Sequence, residues 1–431
     1  MEPIRKVLCI SSLDTSGFSG IGADINSISS TGVQPLPVVV NYVIETTEAV
    51  VDVIPVAAET VEKAVKVGLS EQPSSVKLGM LGQNTGIVAN LLPPNLPIIA
   101  DPVFLSTSGH LFATKQEIEC FAKKIAPKAL LITPNVAEAE LLLGVKIRTE
   151  DDARIACLEL HKKLGSGVLL KGGHLNATDF LAWKGELHVF RAEKKDKALR
   201  GTGCMLSSLI AANLAKGYDL VDTVRKSKEM MTMLIEHAEF AGRKYWLNPA
   251  GLLSKDAERW QTYISLSERL PEFLSVLKNE YIPEVGINIG FALPEARTKQ
   301  DVCAIDGRIV KTTEGPRVRR SVKFGAGDHV PRIILTLMKF DKEKRCAMNL
   351  RYAPETVAKA KHLGFVVSSF SRSTGEPGQG TMEWGTEMAV KNAGRVPDLI
   401  YDTGDVGKEP MIRLIAENPE KLLEKVRKLV G

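Results

Sequence analysis

The sequence predicts an α/β protein: a doubly wound, mostly parallel sheet, followed by a second, smaller α/β or α+β domain. Three observations carry this. Short apolar, β-rich runs at 7–10, 37–40, 98–101, 130–132 and 167–170 alternate with amphipathic stretches at 59–68, 115–125 and 151–164, the pattern of successive βα units. A chain of 431 residues exceeds what one core ordinarily organises, so two domains are expected and three allowed. The pattern then changes. The stretch 242–262 is mixed, aromatic and polar without a clear period, a helix-like segment starts at 264, and 364–370 and 398–401 read as strands. The expected domains are 1–258 and 263–431. The last helix is well signalled: Asn418 suits its cap, Pro419 its first position, and Leu422, Leu423, Val426 and Leu429 share one face.

Composition narrows the function classes. The apolar and charged fractions are those of a soluble globular protein. A net charge of +5 is small for this length and demands no nucleic-acid partner, but it suits anionic small molecules such as phosphates. The six cysteines, at 9, 120, 157, 204, 303 and 346, form no C-x-x-C pair, as expected of isolated thiols in a reducing compartment. No signal-peptide core follows Met1, and no apolar run reaches the roughly 18 residues of a membrane helix. A cytoplasmic enzyme without membrane contact is expected. No internal repeat is found.

The sharpest local signal is Arg200-Gly201-Thr202-Gly203-Cys204, ahead of a helical face made by Leu206, Leu209, Ile210 and Leu214. Glycines let backbone N–H groups converge without Cβ interference, and the helix N-terminus adds the positive end of a dipole. Together they make an anion hole for a transferring phosphoryl group. The same dipole would lower the Cys204 pKa towards neutrality. The bland alternative is a glycine-rich helix cap with a buried cysteine.

Other motifs fall just after apolar runs, where ligands of doubly wound sheets bind. They are the run Asp14-Thr15-Ser16-Gly17-Phe18-Ser19-Gly20, Lys77-Leu78-Gly79-Met80-Leu81, Asp101-Pro102-Val103, Thr133-Pro134-Asn135-Val136-Ala137-Glu138 and Lys171-Gly172-Gly173-His174. Their order and spacing resemble the hydroxymethylpyrimidine phosphate kinases of the ribokinase superfamily, over about residues 5–240. The resemblance implies a ribokinase-like fold and ATP-dependent phosphorylation. It puts Gly201, Thr202, Gly203 and Cys204 at the anion hole, with Cys204 as catalytic base. It implies that Asn135 and Glu138 organise Mg²⁺ and the ATP phosphates, and that Lys171 neutralises phosphate charge. Asp14, Gly17, Gly20, Glu45 and Met80 would lie at the pyrimidine pocket. There are departures. Ser12-Leu13 stands where the family usually has Gly-Ser, Phe18-Ser19 interrupts its glycine run, Glu45 replaces a Gln, and Arg200 replaces a His. The phosphate side is kept and the pyrimidine side has drifted, so a kinase of altered specificity or reduced activity is the alternative.

Beyond residue 280 a different set appears: Pro283-Glu284-Val285-Gly286-Ile287-Asn288, Ala292-Leu293-Pro294-Glu295-Ala296-Arg297, Gly307-Arg308-Ile309-Val310, Phe324-Gly325-Ala326-Gly327-Asp328-His329, Met348-Asn349-Leu350-Arg351, Glu383-Trp384-Gly385 and Asp402-Thr403-Gly404-Asp405-Val406-Gly407-Lys408-Glu409-Pro410. This set resembles the archaeal-type thiamine-phosphate synthase domain, over about 270–431. The resemblance implies condensation of a pyrimidine diphosphate with a thiazole phosphate. A departing pyrophosphate calls for cations; Arg297, Arg308, Arg351, Lys408 and Arg413 are suitable, and His329 would hold the leaving group or shuttle a proton. The 404–407 loop would cradle phosphate through backbone N–H groups, with Gly404, Gly407 and Lys408 at the substrate. Read without the resemblance, His329 is a structural hydrogen-bond partner and Arg308 a surface residue. His174, His188 and His237 read as structural only. The competing class is a sensor that binds thiamine phosphates. No basic helix-turn-helix accompanies the domain, which favours chemistry. Partners are expected to be small-molecule substrates and further copies of the chain, in a homo-oligomer.

Overall fold

The computed structural model describes residues 4–46, 48–105, 109–173, 175–193, 197–372 and 381–431. His174, named above, lies outside them. The chain forms two compact units, Met1–Leu253 and Ser254–Gly431.

The first unit is built on a nine-stranded sheet ordered β3-β2-β1-β4-β5-β6-β7-β8-β9. The strands are β1 Lys6–Asp14, β2 Gln34–Glu45, β3 Val50–Pro55, β4 Ser75–Leu78, β5 Ile98–Ala100, β6 Leu131–Ile132, β7 Gly167–Leu170, β8 Thr178–Trp183 and β9 Glu186–Arg191. β2, β1 and β4 to β7 run parallel. β1 shows why the sheet needs cover on both faces: Leu8 and Ile10 enter one apolar cluster and Val7 and Cys9 the other. β3, β8 and β9 are antiparallel at the edges and were not anticipated. The β8–β9 hairpin turns on Lys184 and Gly185, both at positive φ. Because β1 pairs with β2 on one side and β4 on the other, the strand order reverses there, and loops converge at the carboxyl ends.

The second unit holds a seven-stranded mixed sheet, in the order Val322–Phe324, Val302–Ile305, Ile289–Ala292, Cys346–Arg351, Met411–Ala416, Leu399–Asp402, Val367–Ser369. Only the last two pair in parallel. Helix His329–Met338 covers one face, and helices Pro354–His362 and Pro419–Val430 the other. Asn418 caps the final helix as expected, accepting from the Lys421 N–H at 2.9 Å.

One expectation fails near residue 260. The helix there starts at Pro249, not 264, and runs 28 residues to Val276. Asn248 starts it, its Oδ1 accepting from the Gly251 N–H. The stretch 253–258 is solvent-exposed, so it carries no apolar period to read. Further along, Leu266, Leu270 and Phe273, with Leu277 just beyond the helix, enter the second unit's core.

Those four side chains set a fragment boundary. A fragment 254–431 is expected to unfold cooperatively on heating, followed by circular dichroism. A fragment 278–431 is expected to show no transition. Removing four buried apolar side chains at about 2–5 kcal/mol each matches or exceeds a typical total stability.

Candidate active sites

In the first unit, charged side chains gather at the carboxyl ends of β1 to β7. The Asp14 carboxylate, at the end of β1, is spent on its own loop. It accepts from Ser16 Oγ and Gly17 N at 2.6 and 2.8 Å, and from Ser19 N and Oγ at 3.1 and 2.8 Å. Gly17 and Gly20 take positive φ here. A Cβ on Gly20 would lie 2.2 Å from the Ser12 carbonyl oxygen. Met80 is buried and its carbonyl accepts from Ser12 Oγ.

The 201–204 turn docks on that loop. Gly201 has φ of +76°, and a Cβ there would sit 1.8 Å from the Phe18 carbonyl oxygen, so glycine is required twice over. Thr202 and Gly203 open helix Thr202–Ala215, and a Cβ on Gly203 would lie 3.0 Å from Lys171 Nζ. Lys171 pairs with Asp101 at 2.7 Å, and Asp101 also accepts from Thr133 Oγ1 at 2.8 Å. Burial opposes the Lys171 charge, but the Asp101 and Glu138 carboxylates outweigh it and hold its pKa above the ordinary value. Asn135 and Glu138 form a reciprocal cap on helix Val136–Leu143: Glu138 Oε2 accepts from Asn135 N at 2.8 Å, and Asn135 Oδ1 from Glu138 N at 2.9 Å. Burial, against the pull of Lys171, pushes the Glu138 carboxyl up to about 8.

Beneath the turn, Lys77 and Asp24 form a fully buried pair, 2.7 and 2.9 Å apart, with Ser208 Oγ donating to Asp24 at 2.7 Å. Cys204 is part-buried. Burial pushes its thiol up to about 11, only partly countered by Lys77 and reinforced by Asp101 and Asp24. This reverses the lowering expected from the helix dipole: desolvation and two nearby carboxylates win. Sequence reading singled out neither Asp24 nor Asp101 as a site residue. Asp101 had a signal, since it directly follows a strand.

Two departures from the family pattern meet in space. Arg200 Nη2 donates to both Glu45 oxygens, at 3.1 and 2.9 Å, and its Nη1 donates to the Thr46 carbonyl at 3.0 Å. Ser16 Oγ also donates to Glu45 at 3.1 Å. The side chains are 10% and 3% exposed. Glu45 and Arg200, the two departures noted in the sequence, are therefore one ion pair that joins β2 to the turn.

In the second unit a cavity of about 240 Å³ is lined by Arg308, His329, Arg372, Lys408 and Arg413, with Val285, Val330, Ile333, Asn349, Met382, Gly407, Glu409 and Met411. Arg308 and His329, 21 positions apart in sequence, thus share one cavity. Two asparagines hold its rim. Asn349 Oδ1 accepts from Asn288 N at 2.8 Å and its Nδ2 donates to the Gly286 carbonyl at 2.9 Å, while Asn288 Nδ2 donates to the Ile305 and Gly307 carbonyls. Arg372 and Arg413 both engage Asp402, at 2.8 and 2.7 Å. Arg372, a strong cation of this site, was missed because no motif surrounds it. His329 opens helix His329–Met338. Burial, aided by Arg308, Arg332 and Arg413 and opposed by Asp328, holds its pKa below the ordinary value.

Three expectations need correction. Arg297 and Arg351 are exposed and do not line the cavity. Three N–H groups of the 404–407 loop are spent locally: Gly404 N donates to Asp402, Asp405 N to the Lys408 carbonyl and Val406 N to Asp405. Gly404 takes φ of +82° and shapes the turn, so only Gly407 and Lys408 reach the cavity. Among the described residues no cluster of three or more His, Cys, Asp or Glu is preformed for a metal ion, and no helix is long and apolar enough to cross a membrane.

Comparison with known proteins follows the same division. Residues 14–247 match the phosphomethylpyrimidine kinase family model, and 266–428 the model of the thiamine-phosphate synthase ThiN. The bifunctional thiamine biosynthesis protein ThiDN of Methanocaldococcus jannaschii is 32% identical over 333 residues, covering 76% of this chain and 74% of that protein. The thiamine-phosphate synthase ThiN of Methanothermobacter thermautotrophicus is 35% identical over 163 residues, covering 35% of this chain and 85% of that protein. In fold alone, the Staphylococcus aureus pyridoxal kinase solved with AMP-PCP and pyridoxal is similar, with a TM-score of 0.53, 22% identity, and coverage of 58% of this chain and 95% of that one.

The Glu45–Arg200 pair yields an expected outcome. Glu45→Ala and Arg200→Ala should each destabilise the first unit by about 3–5 kcal/mol, because each strands a buried charge. The double variant should lose less than the sum, by about 1–3 kcal/mol. Urea unfolding of the four proteins measures this coupling.

Proposed function

This chain belongs to the family of bifunctional thiamine-biosynthesis proteins that join a phosphomethylpyrimidine kinase to a thiamine-phosphate synthase, and we propose how its residues divide the two reactions. The carrying observation is that one chain holds both a glycine turn seated on the Lys171–Asp101 pair and a cavity lined by Arg308, His329, Arg372, Lys408 and Arg413. The kinase is assigned to 1–258 and the synthase to 263–431.

In the kinase reaction the hydroxymethyl oxygen attacks the γ-phosphorus of ATP, and the bond to the β-phosphate oxygen breaks. The N–H groups of Gly201, Thr202, Gly203 and Cys204 receive the charge on the transferring group. Lys171 shares its charge between Asp101 and the phosphoryl oxygens. Cys204 takes the alcohol proton as thiolate. In the second round a phosphate oxygen is the nucleophile and needs no base. Asn135 and Glu138 would hold Mg²⁺ together with the ATP phosphates, and the cation would favour the ionised Glu138 carboxylate that burial alone disfavours. When bound, Mg²⁺ neutralises charge on those phosphates. The Glu45–Arg200 pair gives the substrate end of this site its own specificity.

In the synthase reaction the methylene–oxygen bond of the pyrimidine diphosphate breaks, pyrophosphate leaves, and the thiazole nitrogen forms the new carbon–nitrogen bond. Arg308, Arg372, Lys408 and Arg413 balance the leaving charge, which grows as the bond breaks. His329, with its lowered pKa, is neutral near pH 7 and donates one hydrogen bond to the departing oxygen.

Each assignment has a measurable consequence. Arg308→Ala and His329→Ala should each lower condensation of supplied pyrimidine diphosphate and thiazole phosphate by about 10²-fold in kcat, with phosphorylation untouched. Normal condensation in both variants removes their assigned roles. Cys204→Ala should lower phosphorylation of the alcohol by about 10²–10⁴-fold and leave condensation intact. With its pKa near 11, the Cys204 thiolate fraction grows about tenfold per pH unit across neutrality. Alcohol phosphorylation should therefore rise from pH 7 to 9, and the second phosphorylation should rise far less. Equal pH profiles for the two rounds would contradict Cys204 as the base.

A further inference from the structure

Beside the charged cavity lies a second one, of about 330 Å³, lined by Ser369, Phe370, Ser371, Trp384, Met388, Asn392, Tyr401 and Thr403. Its residues follow the carboxyl ends of the parallel strands Val367–Ser369 and Leu399–Asp402 or come from helix Thr381–Ala393. We propose that it seats the aminopyrimidine ring of the condensation substrate, a proposal that rests on the synthase reading above.

The two cavities share a wall. Ser371 lines one and its neighbour Arg372 the other. The Phe370 ring faces the aromatic cavity, and the Arg413 guanidinium of the charged cavity sits 5.1 Å from its centroid. A ligand with its flat ring in one cavity and its diphosphate in the other would place its methylene, the carbon at which substitution occurs, at the Phe370–Arg413 boundary.

The aromatic walls are built, not incidental. Trp384 meets Phe370 edge-on, with centroids 6.5 Å apart and planes at 89°. A Cβ on Gly385 would lie 2.3 Å from the Phe370 ring, so that glycine exists to admit the ring. This gives Glu383-Trp384-Gly385 a purpose that its charges did not suggest. Tyr401 borders the cavity from its strand end, while its ring stacks on Tyr352 at the other face of the sheet, with centroids 5.6 Å apart. Aromatic faces stack on any flat heterocycle.

Hydrogen-bonding capacity decides which heterocycle. An aminopyrimidine offers two ring nitrogens and an exocyclic amine, and the Asn392 amide and Thr403 hydroxyl that line this cavity can answer donors and acceptors alike. A thiazole offers one nitrogen and a sulfur. It suits the apolar side of the charged cavity, where Val285, Val330, Ile333, Met382 and Met411 lie near the cations that would hold its phosphate.

Steady-state condensation by the full chain, with each substrate varied in turn, tests this. Trp384→Leu should raise KM for the pyrimidine diphosphate about tenfold or more, since stacking on an aromatic side chain contributes at that level. KM for the thiazole phosphate and inhibition by inorganic pyrophosphate should stay within about twofold. Trp384→Phe should restore most of the loss. Asn392→Ala, an exposed change that spares the fold, should shift KM in the same direction by a few-fold. A shift confined to the thiazole phosphate, equal shifts in both substrates, or unchanged values in both Trp384→Leu and Asn392→Ala would overturn the proposal. If the unaltered protein forms no thiamine phosphate from the supplied substrates, it is the synthase reading that fails.

Discussion

Burial of charge under the glycine turn is the constraint on which the first unit depends. Parallel strands bring Lys77, Asp101 and Lys171 to one end of a sheet covered on both faces, where Lys77 and Asp101 are buried and Lys171 is largely shielded from water. Each ammonium therefore needs a carboxylate, and each receives one: Asp24 for Lys77 and Asp101 for Lys171. A buried pair of this kind adds little net stability, but removing one partner costs about 3–5 kcal/mol. The pairs therefore act as an orientation device. They hold two cations under the glycine turn that opens helix Thr202–Ala215. Glu138 is left without a full partner, and its carboxyl rises to about 8.

The second unit solves a related problem differently. Asp402 is buried between two guanidiniums, Arg372 and Arg413. One carboxylate cannot neutralise both, so the wall keeps a positive excess facing the cavity. The excess is tolerable because a guanidinium is weakly hydrated and spreads its charge, and because Arg413 also rests on the Phe370 ring. Aromatic packing and cation placement are thus one arrangement in this unit.

How much of this the sequence disclosed depended on locality. The 201–204 turn, the 17–20 loop and the Asn418 cap could be read because each device is contiguous: glycine or a capping residue stands where the backbone needs it. The parallel sheet could be read because buried strands are short apolar runs between amphipathic helices. Arg372 and Phe370 could not, since they join their cavities through a strand pairing, Val367 with Leu399, that is remote in sequence. Asp24–Lys77, 53 positions apart, was hidden for the same reason. Arg297 and Arg351 looked suitable by residue type, but type does not report which side of a strand end faces a cavity. The direction of the Cys204 shift was misjudged because a dipole is visible in sequence whereas desolvation is not.

The core of the second unit has a consequence for synthesis. It joins Leu266, Leu270 and Phe273, among the first residues of the unit to be made, to Leu422, Leu423, Val426, Leu429 and Val430, among the last. Ion pairs Arg269–Glu420 and Arg427–Glu272 stitch the same two helices. On the ribosome the first unit can close once its own helices emerge, because the apolar residues of both its cores end at Leu252. The second waits with an open apolar face until its final helix is released, so folding proceeds from the N-terminus in two separate steps. Nascent chains stalled before residue 422 should expose that face.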